Sequence, residues 1–231
     1  MNHLWSIAIE EQFYLVFPFF LLLVRNRKKL LVTALVLLSC VLIARCAYYQ
    51  WILTPGENDK VYWNSFFRLD GLLAGLVLYL LFQQKEISLK VRTIINYLSW
   101  VSILLLVAGI IFYNTAKIEN PFLSTFGFSL IAIVYGYLLY LAVLKRNRLI
   151  DSITSNGFLR YTGKISYGMY IIHWPLFILG FAALNKLHTS LGENSLWTIN
   201  VACCIPLTYL ISHISFRYFE SFFLKHKARL G

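Results

Sequence analysis

The sequence predicts an all-α, polytopic membrane helix bundle, and three observations carry that prediction. The 231 residues are 59% hydrophobic and only 13% charged, against about 25% charged in a soluble domain. Apolar runs of about 20 residues, the length that spans hydrocarbon, recur along the whole chain. The basic residues behind the net charge of +11 fall in short clusters between those runs rather than on one solvated face. That pattern marks membrane loops, not a nucleic-acid partner.

Taken in order, seven spans are expected near 6–24, 30–53, 63–82, 94–114, 122–144, 165–184 and 195–216. The separators are RNRKK (25–29), TPGENDKVY (54–62), QQKEISLKVR (83–92), TAKIENP (115–121), the stretch from KRNR (145–148) onward, and NKLHTSLGEN (185–194). Segment 149–164 is too polar to span and suits a short interfacial helix and turn around Gly157, Arg160 and Gly163. No Gly/Ser linker, low-complexity tract or internal repeat divides the chain, so residues 1–231 read as one transmembrane domain.

Lys/Arg bias gives the orientation. Sixteen basic residues fall in the loops before the second, fourth and sixth spans and in the tail, and three (Lys60, Lys117, Lys186) fall on the opposite side. The C-terminus is therefore expected in the cytoplasm and the N-terminus outside, in a plasma (inner) membrane. Cys40, Cys46, Cys203 and Cys204 lie inside apolar runs without metal-ligand spacing, so neither a disulfide framework nor a metal site is expected.

Two acids near the start of the first span, Glu10 and Glu11, raise the functional question. A carboxylate at mid-membrane costs roughly 2.5–3.5 kcal/mol on insertion scales. At 1.5 Å per residue they lie about one turn below the outer surface, Arg68 and Asp70 about 7–10 Å below it, and Arg45 about 12 Å deep. Five charges from three helices thus share the outer half of the membrane. They form either a structural ion-pair network or a polar cavity open to the outside, and the cavity is the favoured reading for the set. One of Glu10 and Glu11 should point away from it, being 100° apart.

Arg68 shares a helical face with the GxxxG of Gly71 and Gly75, which permits close approach of a neighbouring helix. Asp70 points elsewhere, so a simple Arg68–Asp70 pair is not expected. A second constellation, GKISYGMYIIHWPLF (163–177), sets Ser166, Tyr170 and His173 on one face ahead of Pro175. His173 is there either a structural histidine or a proton carrier. In the last span, Tyr209, His213, Arg217 and Glu220 form a further series, with Arg217 and Glu220 as an interfacial pair. GxSxG, P-loop, Rossmann and HExxH patterns are missing. The residues alone describe a polytopic protein with a charged outer pocket, an enzyme or a transporter.

HLWSIAIEEQFYLVFP (3–18) resembles the signature of the membrane-bound acyltransferase-3 family, bacterial O-acetyl and O-acyl transferases acting on surface polysaccharides. FFRLDGLLAGL (66–76), GKISYGMYIIHWPLF (163–177) and SFRYFESFF (215–223) resemble further family stretches in the same order, although Ser221 and Phe222 replace the usual proline and basic residue. The resemblance implies an acyltransferase that takes acyl-CoA (acetyl-CoA) as a donor co-substrate, with no bound cofactor, and acylates a sugar hydroxyl outside the membrane. It implies catalytic roles among Glu10, Glu11, Arg68, Asp70 and His173, and acceptor binding among His3, Trp5, Tyr14, Arg45 and Tyr170.

Family members have about ten core spans, and their early spans carry a histidine after a basic residue and a cytoplasmic Arg-x-x-Arg. Seven spans starting outside fit the later part of that scheme. The expectation is a truncated or split gene product, inactive alone, that is unstable, dimerises or recruits a complementing N-terminal segment. A transporter or flippase, and an inactive remnant, are the competing readings. A transporter would show broken helices in two inverted halves, which this sequence does not.

Overall fold

The computed structural model describes residues 4–54, 57–83, 88–117, 119–144, 147–187 and 192–230, which are helical with no strand among them. Two compact units divide the chain after Asn147.

In the first unit, α1 (Trp5–Leu23) is followed by α2 (Arg27–Trp51), whose N-terminus is capped by Asn26. The Asn26 carboxamide oxygen accepts from Lys28 N at 2.9 Å and Lys29 N at 3.3 Å, satisfying two amides that a helix start otherwise leaves orphaned. The buried residues of α2 are Leu30, Ala34, Val41 and Arg45. Steps of four, seven and four residues keep them on one side of a 3.6-residue helix, and that side ends in an arginine.

The third expected span is not one helix. A short α3 (Asp59–Trp63) stops at Asn64, whose side chain accepts from Phe66 N at 3.0 Å. That local turn competes with helix continuation. A 3₁₀ turn (Phe66–Arg68) then leads into α4, Leu69–Phe82, of 14 residues. At 1.5 Å per residue plus the longer 3₁₀ rise, this composite covers about 27 Å, close to the ~30 Å of hydrocarbon.

α5 (Leu89–Tyr113) starts before the expected residue 94 because Ser88 caps it, accepting from Val91 N. It ends at Asn114, the one non-glycine residue with positive φ among those described (φ 50°). The return is pinned by fully buried Asn120, which donates to the carbonyls of Gly109 and Thr115 and accepts from Phe122 N and Leu123 N. A π-helical turn (Leu123–Gly127) then opens α6 (Phe128–Leu144). α4 packs between α2 and α6, with α5 on α6 and α1 against α4. Leu78 of α4 nestles on Gly136 of α6, where an added Cβ would come within 3.1 Å of its Cδ1. The expected close approach at Gly71 and Gly75 is not made: a Cβ on either glycine would meet nothing within 4 Å.

The second unit begins with α7 (Arg148–Ser155), the short polar helix expected there. Asn156 caps the following helix through Phe158 N at 3.0 Å and Leu159 N at 3.2 Å. That helix, α8 (Gly157–Leu187), therefore starts eight residues before the expected span and absorbs Gly157, Arg160 and Gly163 instead of turning there. α9 (Glu193–Ser215) pairs along α8 and continues through a π turn (Phe216–Glu220) into α10 (Ser221–Leu230). The wider π turn takes Arg217 and Glu220 out of i,i+3 register. Arg217 lies over the Tyr218 ring, and Glu220 meets Ser215, so the expected pair between them does not form.

Among the described residues six helices are long and apolar enough to cross a membrane: Trp5–Leu23, Arg27–Trp51, Leu89–Tyr113, Leu123–Leu144, Gly157–Lys186 and Glu193–Leu224. The composite ending in α4, where a further span was expected, is shorter and is not among them. Apolar side chains such as Leu15, Phe19, Ile43, Phe112 and Leu179 are exposed along these helices, the arrangement that lipid rather than water favours.

Candidate functional site in the first unit

Arg45 is the organising residue, and its side chain is 0% exposed. Its Nε donates to the Thr125 carbonyl at 2.5 Å, and Nη1 donates to the Phe67 carbonyl at 2.8 Å and to Asp70 Oδ2 at 2.9 Å. Nη2 reaches Ser129 Oγ at 2.6 Å, and that hydroxyl donates onward to Asp70 Oδ2 at 3.1 Å. Asp70 Oδ1 accepts from Gly71 N at 3.0 Å. Both carbonyls come from segments that are not α-helical, Phe67 in the 3₁₀ turn and Thr125 in the π turn. Departures from α geometry change which carbonyls a helix uses internally, and here two are turned to a buried cation. A guanidinium in hydrocarbon is tolerable when neutralised and given an acceptor for four of its five N–H groups in this way.

The structure thus corrects one role: Arg45 has no surface with which to touch a substrate. Asp70 is 3% exposed with both oxygens engaged, so it too holds the scaffold rather than a ligand. As the sequence suggested, Asp70 does not pair with Arg68.

Arg68 is half-buried and differently held. Its guanidinium carbon lies 4.1 Å from the Phe128 ring centroid and 5.1 Å from that of Tyr62. Phe128 also lies 5.3 Å from the Arg45 guanidinium, so one ring serves both cations. Tyr62 in turn contacts Trp5 at 5.2 Å and Trp63 at 5.0 Å, and the two tryptophans meet at 5.3 Å. Arg68 thus sits at the edge of an aromatic cluster from α1, α3 and α6, touching it through Tyr62 and Phe128.

The other predicted residues of α1 stand apart from the buried network. Glu10, Glu11 and Tyr14 are exposed, and the residue of α1 that is buried is Ile9. Ile9, Phe13, Phe17, Val41, Phe66 and Leu73 line an apolar cavity of about 350 Å³ between α1, α2 and α4. The expectation that one glutamate faces a cavity with Arg68 and Asp70 is not met: both carboxylates lie on the surface of the unit. His3 lies outside the described residues.

In the second unit, His173 and Tyr170 line a groove of about 780 Å³ between α8 and α9, with Ser166, Trp174, Trp197 and Thr208. The His173 Nδ1 lies 3.2 Å from the Met169 carbonyl, which fits Nδ1–H as the donor. The Tyr170 and His173 rings sit 5.5 Å apart.

Sequence reasoning missed Ser129, Tyr62 and Phe128. Thr125 and Ser129 stand four apart on the fifth span, a polar stripe that signalled a buried partner. Among the described residues no group of three His, Cys, Asp or Glu could hold a metal ion.

Taken together, lipid-facing apolar helices around a buried intramembrane ion pair, with a second arginine held beside it, define a multi-pass membrane protein built about a polar site. The chain belongs to the acyltransferase-3 family: the model described as an acyltransferase domain (Acyl_transf_3) matches residues 1–216. Among curated proteins it is 30% identical to the peptidoglycan O-acetyltransferase OatA of Listeria monocytogenes, over 96% of this chain and 35% of that protein. It is 25% identical to YrhL of Bacillus subtilis, whose naming for the same activity is provisional, over 95% of this chain and 34% of YrhL. The chain spans about a third of the length of these relatives. No solved structure matches it.

Proposed function

We propose that this chain forms part of a membrane O-acetyltransferase that moves an acyl group from acyl-CoA in the cytoplasm to a hydroxyl of a cell-surface glycan. The observation that carries this reading is the acyltransferase-3 match over residues 1–216, and the peptidoglycan O-acetyltransferase name of the Listeria relative supports the glycan acceptor. Arg68 holds the acceptor. Glu10 and Glu11, exposed on α1, are available to accept hydrogen bonds from sugar hydroxyls and polarise them. Trp5 and Tyr14 border the same helix, and His3 precedes it. Arg45 and Asp70 position Arg68 through the network they share with Phe67 and Ser129. His173, with Tyr170 beside it, is placed to carry a proton within the second unit.

Transfer is measured as glycan O-acetylation in cells producing residues 1–231, with and without a co-expressed N-terminal segment of a relative. Glu10→Gln and Arg68→Ala each lower transfer by about a hundredfold or more, with membrane levels of the protein unchanged. Acetylation untouched by both substitutions overturns these roles.

The orientation has its own test. The charge bias places the N-terminus outside and the C-terminus in the cytoplasm. With the four cysteines replaced, an impermeant thiol reagent added to intact cells should label Asn58→Cys and spare Asn147→Cys. The reverse pattern refutes the orientation.

A further inference from the structure

The charges of the first unit do not cancel at Arg68. Asp70 Oδ2 is taken by Arg45 and Ser129, and its Oδ1 by Gly71 N. The ion pairs among the described residues are Arg45–Asp70 and Lys60–Glu57, so Arg68 has no carboxylate partner there. A half-buried guanidinium with no carboxylate in direct contact is costly in a membrane protein. Tyr62 and Phe128 lie beside it as cation–π partners, and the N–H groups of its fork make no hydrogen bond to the described residues. That fork matches a planar carboxylate bidentately.

A second unused donor lies in the same cluster. The Trp5 indole Nε1 is buried with no acceptor among the described residues, and the Trp5 ring packs on Tyr62, the ring that also contacts Arg68. Two donors and no acceptor call for an acceptor-rich ligand. Beside them Trp63 is 39% exposed, and an aromatic face of this kind packs well on the C–H face of a sugar ring. A lipid phosphate recruits clustered Lys and Arg. Here there is one uncommitted cation among aromatic rings.

We infer that Arg68, packed on Tyr62 and Phe128, with Trp5 on the Tyr62 ring, forms a binding site for the carboxylate of an acidic sugar, making the acceptor an anionic glycan. This rests on the glycan-acyltransferase reading, but the site is tested by binding and needs no transfer.

The full chain in detergent micelles is titrated calorimetrically with tetragalacturonate, with its methyl ester, and with a short-chain phosphatidylglycerol. Tetragalacturonate binds saturably, more weakly as salt rises, and the uncharged ester binds at least about tenfold more weakly. Arg68→Gln with an unchanged melting temperature loses at least about tenfold for the acid and little for the ester, while Arg68→Lys recovers part. Equal binding of acid and ester overturns the site, and so does undiminished acid binding by folded Arg68→Gln. Tighter, Arg68-dependent binding of phosphatidylglycerol that displaces the acid makes it a lipid-headgroup site and also overturns the inference. Carboxylate binding with no acetyl transfer even beside the co-expressed N-terminal segment leaves the site standing and refutes the enzyme reading; transfer without such binding does the opposite.

Discussion

Arg45→Ala is expected to destabilise the first unit by about 3–5 kcal/mol, the cost of breaking a buried ion pair from one side. The substitution strands Asp70, which is 3% exposed, and leaves the Thr125 and Phe67 carbonyls without the donor they now share. Asp70→Asn removes the countercharge but keeps a hydrogen-bonding group beside Arg45, so it should cost less. The informative variant is the pair Arg45→Met with Asp70→Leu. Replacing both charges by apolar groups of similar volume is often neutral or stabilising, so the double variant should melt above Arg45→Ala. It should still melt below the wild type, because the Thr125 and Phe67 carbonyls lack a donor. Thermal unfolding of detergent-solubilised protein measures all three. A loss below about 1 kcal/mol for Arg45→Ala, the range of exposed ion pairs, would show that the network does not hold the unit together. If the double variant folds but loses acetyl transfer, the pair's contribution is the placement of Arg68.

The second large effect is expected at the seam between α8 and α9. Asn200 is 1% exposed, donates from Nδ2 to the Phe177 carbonyl at 2.9 Å and accepts from Cys204 Sγ at 3.4 Å. Its carboxamide oxygen sits directly over the Cα of Gly180, where any Cβ would overlap it. Exposed on a lone helix, Gly180→Ala would gain about 1 kcal/mol of helix propensity. Here the overlap dominates, and overpacking of a tight contact costs about 1–3 kcal/mol. Gly180→Ala should therefore lower the melting temperature. Gly180→Ala with Asn200→Ala should lose less than the sum of the two single changes, because each single change spoils the same contact. Strict additivity would mean that glycine and asparagine act independently and that the contact is incidental.

The sequence by itself determined the fold class, the approximate placement of six of the seven expected spans, and the family. These follow from long-wavelength signals: apolar runs of membrane length, charge clusters between them, and the WS–EEQFY stretch. It also singled out Arg45, Arg68 and Asp70, because a charge within an apolar run is conspicuous without any knowledge of its neighbours. Boundaries were less legible, since they depend on single capping side chains. Ser88 and Asn156 each start a helix earlier than hydropathy suggests, and Asn64 cuts the third span short.

Only the tertiary structure decided how the charges are used. Depth along a helix can be counted from sequence, but direction around it depends on which neighbour lies there. Arg45 proved to be enclosed and Arg68 held at the edge, although the sequence offered both as residues of one site. The difference comes from carbonyls released at Phe67 and Thr125 and from a hydroxyl at Ser129, groups up to 84 residues away in the chain. Glu10 and Glu11 illustrate the converse: their position in the first span was plain, but Ile9 is the buried side chain of α1 and both carboxylates stand at its surface. A buried charge is fixed by the acceptors that surround it, and those are assembled from distant segments only when the helices pack.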